Sequence, residues 1–261
     1  SVRVLQSKLL PPQTSDTIKR ERLLFLLASI PKRRLATVVA GAGYGKTTAV
    51  AQVNAHLNVS TVWYRPDESD RDLVTFLSYL LAGIRQYFPE IGAETAKRLD
   101  GDKNISKELE SVLTTFLSEI EEVVEEELII VLDDYHTVQH SQEIRKTLAF
   151  LLKHATPNVH FILISRANID LPLSRLQAMR EVIEITEEDL AFTVHETSQL
   201  FSQLFDITLN QRTAETVQQK TGGWISGLML LYHSLKGKSF QELEKTLQRL
   251  PGTVKTISRY L

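Results

Sequence analysis

The stretch from Leu35 to Thr48 constrains the fold more than any other, because the apolar run LATVVA passes directly into GAGYGKTT. A short, β-branched apolar run followed by glycines predicts a strand covered on both faces, the environment of a parallel sheet. The glycines let the backbone close tightly, and the helix opened by Lys-Thr-Thr points its positive dipole end back at the loop. Strand, glycine loop and helix in that order make a cradle for phosphate oxygens. Its candidate binding residues are Gly41, Ala42, Gly43, Tyr44, Gly45, Lys46, Thr47 and Thr48. Lys46 supplies a point charge towards β- and γ-phosphates, and the Thr47 hydroxyl a ligand for Mg²⁺. The strict spacing GxxxxGKT places glycine at position 40; this chain has Ala40, small enough to permit the turn.

The remaining periodicity agrees with a parallel α/β sheet. Leu23, Leu24, Leu27 and Ile30 lie at helical spacing before Pro31, and a second strand runs from about Val59 to Arg65. Ser69 or Asp70 is expected to cap a helix carrying Leu73, Phe76, Leu77 and Leu80, with a third helix over about 106–124. Strands are expected at LIIVLDD (128–134), at VHFILISR and at Val182 to Ile185, with a helix through Ile144, Leu148, Leu151 and Leu152 before the second of these. Alternating strands and helices place any ligand at the strands' carboxyl ends. From Glu187 the pattern is helical throughout, opening on the capping box Thr193 to Glu196. TGGWISGLMLLYHSL, SFQELEKTLQRL and TVKTISRYL are expected as further helices, broken at Gly237 and Pro251-Gly252. The expected architecture is a five-stranded P-loop NTPase sheet with flanking helices over residues 1–187, of the hydrolytic kind, and a small all-helical subdomain over 188–261.

A second acidic motif completes the candidate site. LIIVLDD ends in paired carboxylates, with Asp133 placed to hold the water shell of Mg²⁺ and Asp134 to orient or deprotonate an attacking water. The strand Val59 to Arg65 falls between the two motifs in sequence, so a strand can lie between the two motif strands. Arg166, at the tip of FILISR, is a candidate γ-phosphate sensor, a surface ion pair being the alternative. His136 either bonds within its loop or senses nucleotide. Trp224 either packs in the core or sits at a helix tip facing phosphates, and Asp67, Glu68 and Asp70 can be a helix start alone.

Composition narrows the class. With 43% hydrophobic and 24% charged residues the chain is neither disordered nor membrane-embedded, and no 18-residue apolar run predicts a span. The start SVRVLQSKLLPPQ lacks the pattern of a secretory leader. The absence of cysteine excludes disulfides and thiolate metal sites and fits the cytoplasm. A net charge of −2 argues against a nucleic-acid footprint over the whole surface, leaving Lys32-Arg33-Arg34 as a local basic patch.

TIKRERLL, AGYGKTT, WYRPDESDRDLVTFLSYLLAGI, LIIVLDDYH, LISR, DLAFT and GGWISGLML together resemble the STAND class of signalling ATPases, specifically the nucleotide-binding region of MalT-like, LuxR-type transcriptional activators. The motifs fall in the family's order and span nearly the whole chain. The resemblance implies ATP or ADP with Mg²⁺ as cofactors and a slow ATPase that switches nucleotide-dependent self-association. It also implies adenine contacts from the segment holding Ile18, Arg20 and Arg22, and a sensor role for Arg166. DNA contact would come only through a carboxyl-terminal domain absent from this sequence, where a winged helix would be about to begin at ISRYL. The resemblance names no inducer. The alternative is a catalytic P-loop ATPase of another class with rapid, substrate-stimulated turnover.

Overall fold

The computed structural model describes residues 2–15, 17–101, 105–235, 245 and 247. Among them the chain runs α1 (Glu21–Leu27), β1 (Leu35–Val39), α2 (Lys46–Leu57), β2 (Ser60–Tyr64), α3 (Leu73–Ile84), α4 (Ala93–Gly101), α5 (Leu109–Val123) and β3 (Leu128–Leu132). It continues with α6 (Gln142–His154), β4 (Val159–Ser165), α7 (Ser174–Ala178), β5 (Val182–Ile185), α8 (Glu187–Leu190), α9 (Val194–Phe205), α10 (Gln211–Thr221) and α11 (Ile225–Leu235). The five strands form one wholly parallel sheet in the order β2-β3-β4-β1-β5. The expected helices at SFQELEKTLQRL and TVKTISRYL, and the breaks at Gly237 and Pro251-Gly252, lie outside the described residues, apart from Lys245 and Leu247.

Alternation along the strands explains why their sequences read as unbroken apolar runs. Leu128, Ile130 and Leu132 of β3 join a core beneath α3, α5 and α6, while Ile129 and Val131 join a second core with α1 and α2 on the other face. With both faces covered, apolar residues predominate in the strand interior, and all five residues of β3 are buried. A third cluster unites α9, α10 and α11 around Leu200, Phe201, Val217, Leu228 and Leu231, and it takes in Ile18 from the amino-terminal segment.

A strand does lie between the two motif strands, but it is β4 (Val159–Ser165); the strand expected at Val59 to Arg65 is β2, at the sheet edge. Chain order could not decide this, because either strand satisfies the crossover rules. From β1 the chain travels outward to β2, whereas from β4 it crosses to β5 on the far side of β1, so the connections diverge between β1 and β4. That divergence opens a crevice at the carboxyl ends of these two strands.

Two local expectations are corrected. Asp72, not Ser69 or Asp70, caps α3, accepting the Thr75 N–H at 2.9 Å. Asp70 is committed elsewhere: its buried carboxylate binds Lys8 Nζ at 2.7 Å and the Asp67 N–H at 3.0 Å, tying the amino-terminal lead to the loop after β2. The helix expected from 106 begins at Leu109, and α4 precedes it. Glu119 of α5 accepts the N–H groups of Glu94 and Thr95 at the start of α4, so this helix is capped across space.

Candidate nucleotide site

Every motif singled out for phosphate chemistry lies at the carboxyl end of a strand. Gly43 and Gly45 take φ of +75° and +74°, which only glycine adopts without strain, and Gly45 is the N-cap of α2. Lys46 opens the helix; its buried side chain curls back to donate to the Gly41 carbonyl at 2.7 Å, closing the loop on itself. Burial, and then repulsion from Arg166, hold the Lys46 ammonium below its ordinary pKa.

α11 grips the outside of the loop. Trp224 Nε1 donates to the Ala42 carbonyl at 3.0 Å, and the Ser226 N–H and hydroxyl donate to the Gly43 carbonyl at 3.1 and 3.2 Å. In a trans peptide the N–H points opposite to the C=O. Fixing these two carbonyls towards α11 therefore aims the Gly43 and Tyr44 amides away from it, as a phosphate cradle requires. A Cβ at Gly43 would stand 2.2 Å from Ser226 Oγ and 2.9 Å from Trp224 Nε1, so close approach adds to the demand for glycine. Trp224, read from the sequence either as core packing or as a helix tip facing phosphates, is half-buried at the start of α11 and bonds the outer side of the glycine loop.

On the adjoining strands, Asp133 is fully buried and accepts the Thr47 hydroxyl on Oδ1 at 2.8 Å. Its Oδ2 receives Arg65 Nε at 2.9 Å and Nη2 at 2.6 Å. Asp134 adopts φ +65°, turning the chain sharply after β3. Its Oδ1 lies 3.6 Å from Arg166 Nε and 3.9 Å from His136 Nδ1. The Arg166 N–H donates to His136 Nδ1 at 3.4 Å, and burial keeps this imidazole below its ordinary pKa, towards the neutral form that can accept. Asp134, His136 and Arg166 thus form one cluster beside the Lys46 and Thr47 loop. Thr48 follows on α2 within the same first turn.

The amino-terminal residues Ile18, Arg20 and Arg22, expected near adenine, pack against the segment that leads into α9. Ile18 is buried in the third cluster. Arg20 donates to both oxygens of Glu196 at 3.2 and 3.0 Å and to the carbonyls of Leu190 and Ala191, with its guanidinium 4.1 Å from the Phe192 ring centre. Arg22 donates to the carbonyls of Asp189 and Ala191. These two arginines staple the linker between β5 and α9.

Arg65, Glu187 and Ser226 were not singled out from the sequence. Glu187 accepts the Gly41 N–H at 3.3 Å; burial, and then the hydrogen bond with Glu187, push the Tyr44 phenol up to about 12. Arg65 follows β2 directly and Glu187 stands two residues after β5, so the rule that ligands gather at strand carboxyl ends could have flagged both. A cavity of about 1510 Å³ lies elsewhere, among the segments that precede β1, β4 and β5, and Lys32, Arg33, Lys146, Lys153 and Arg175 help line it. Arg34 is not free for a ligand: its guanidinium donates to the carbonyls of Ala155, Thr156 and Val159.

The profile of the family described as nephrocystin 3, N-terminal, matches residues 19–166, more than half of the chain and the part that carries the phosphate loop, both aspartates and Arg166. The chain belongs to the nephrocystin 3 N-terminal family. The MalT likeness holds alongside it. The chain is 31% identical over 251 residues to the HTH-type transcriptional regulator MalT of Vibrio parahaemolyticus, covering 96% of the chain and 26% of that protein. To MalT of Yersinia pestis it is 30% identical over 243 residues, covering 93% and 26%. The chain therefore spans about a quarter of the length of these relatives. Among solved structures, a Walker-type ATPase of Pyrococcus abyssi matches at TM-score 0.55 and 13% identity, over 91% of this chain and 74% of that one, a likeness of fold.

Proposed function

We propose that this chain is an ATP- and ADP-binding module with slow ATPase turnover, the nucleotide switch of a signal-responsive transcriptional regulator. The observation that carries the reading is the convergence of Lys46, Thr47, Asp133, Asp134 and Arg166 around the β1/β4 crevice, with α11 hooked onto the same loop through Trp224 and Ser226. In this reading the loop amides and Lys46 bind the phosphates, Thr47 and Asp133 hold Mg²⁺, and Arg166 meets the γ-phosphate. A hydroxyl beside one fully buried carboxylate is a hard oxygen set suited to Mg²⁺, which takes its remaining ligands from water and phosphate. The ion would neutralise charge on the phosphates. Asp134 orients the attacking water, its carboxylate lying beside the Arg166 guanidinium.

The division into a nucleotide-binding unit (1–187) and a helical unit (188–261) is part of the proposal. Because α11 bonds directly to loop carbonyls, any shift of the loop on exchange of ATP for ADP reaches the helical unit. Self-association through the nucleotide units, DNA contact through a separate carboxyl-terminal domain, as the name of the MalT relatives suggests, and a cytoplasmic setting complete the reading. Among the described residues no helix is long and apolar enough to cross a membrane.

The test is to denature freshly purified protein and identify any released nucleotide. Near-stoichiometric ADP supports a locked switch; an empty site that turns over added ATP rapidly replaces it with an ordinary enzyme. Asp134→Asn is expected to keep ADP affinity within about twofold and to slow hydrolysis by 100-fold or more; unchanged hydrolysis removes Asp134 from its role.

A further inference from the structure

Asp133 reaches full burial with both oxygens already bonded, and the stronger partner is a side chain the phosphate motifs do not include. Thr47 gives Oδ1 one neutral hydrogen bond. Arg65 places two N–H groups on Oδ2, occupying both of its lone pairs and supplying the positive charge that a buried carboxylate requires. The register that sets Tyr64 beside Leu132 brings Arg65 opposite Asp133. Pro66 restricts the Arg65 backbone to extended conformations, and the Arg65 N–H is fixed to the Lys8 carbonyl at 2.8 Å. The main chain is pinned, while the side chain, which reaches over to Asp133, remains 45% exposed to solvent.

We infer that Arg65 is a tethered cation standing on the acidic anchor of the metal site, so that a divalent ion loads only against its charge. The inference rests on the nucleotide and Mg²⁺ reading of this site. Without metal, Arg65 keeps Asp133 paired and in place beside Thr47. When a divalent cation binds beside Thr47, two positive groups share one carboxylate, and the metal affinity is lowered by that repulsion. Arg65 is then a positioning residue that sets how much metal the nucleotide-bound protein requires.

The experiment uses the whole chain with ADP, and Mn²⁺ as the metal probe, with free Mn²⁺ followed by electron paramagnetic resonance. Arg65→Ala is expected to tighten Mn²⁺ binding roughly tenfold, Arg65→Lys to stay near wild type, and Arg65→Gln, which keeps donors without charge, to tighten it as alanine does. Arg65→Ala is also expected to melt earlier in EDTA and to regain the difference with Mn²⁺ and ADP. A merely structural arginine would lower the melting temperature equally with and without metal and leave Mn²⁺ affinity unchanged or weaker, which overturns the inference. Should wild type and variants all fail to bind ADP, the nucleotide reading falls and this inference with it. Should all bind ADP with one Mn²⁺ affinity, only the role of Arg65 falls.

Discussion

Lys46→Ala is expected to weaken ADP binding by roughly a hundredfold, because a charge-assisted hydrogen bond to phosphate contributes about 1.5–3 kcal/mol and each 1.4 kcal/mol is tenfold. The variant loses one further bond, from Nζ to the Gly41 carbonyl, a net loss of about 1 kcal/mol that lowers stability only slightly. Titration calorimetry with ADP, set beside a thermal melt of the ligand-free protein, separates the two effects. Wild-type affinity in the variant would remove the loop from phosphate binding. The same side chain gives the binding a pH dependence. Burial and Arg166 lower the Lys46 pKa, so the ammonium that phosphate needs is present at low pH and lost as pH rises through a value below the ordinary 10.5. ADP affinity should therefore decline on the alkaline side sooner than an exposed lysine would predict, and the decline should vanish in Lys46→Ala.

Glu196→Ala should cost about 3–5 kcal/mol, the cost of stranding one partner of a buried ion pair. The side chains of Arg20 and Glu196 are only 6% and 8% exposed, so solvent does little to compensate. Glu196 also accepts the Thr193 N–H at 3.0 Å, closing the capping box of α9, and that bond is lost as well. For a chain of this size the loss corresponds to roughly 10 °C in melting temperature, with protease cleavage concentrated in α9 to α11. The double change Arg20→Met with Glu196→Leu is expected to recover much of the loss, since apolar replacement of a buried pair is often neutral. A fall of less than about 1 kcal/mol in the single variant would mean that the pair is hydrated in solution. Acid should act in the same direction. Burial alone would raise the Glu196 pKa, but the hydrogen bonds from Arg20 and Thr193 outweigh it and hold the carboxyl below its ordinary 4.5. Its contribution is thus complete above 4.5 and is lost as pH falls through the lower folded value.

The sequence by itself determined the features whose physics is local. A short apolar, β-branched run bounded by turn residues favours a strand covered on both faces, so β1, β3 and β4 were legible to within about two residues, as was the capping box of α9. Gly43, Gly45, Lys46 and Thr47 follow one strand by a fixed spacing, and Asp133 and Asp134 follow another, which placed the candidate phosphate site at strand ends. Only the tertiary structure decided what depends on neighbours distant in the chain. It chose β4 over β2 as the strand between the motifs, and capped α4 with Glu119 from α5. It brought Trp224 and Ser226 to the loop from more than 180 residues away, and spent Arg20 on Glu196. Arg65 belongs to this second group: in sequence it is one arginine after a strand, and it becomes the partner of Asp133 only because β2 and β3 pair in parallel with Tyr64 beside Leu132. Patterning specifies which side of a strand faces a core and where the chain can turn, but which charge meets which carboxylate is fixed only when strand order and register are fixed.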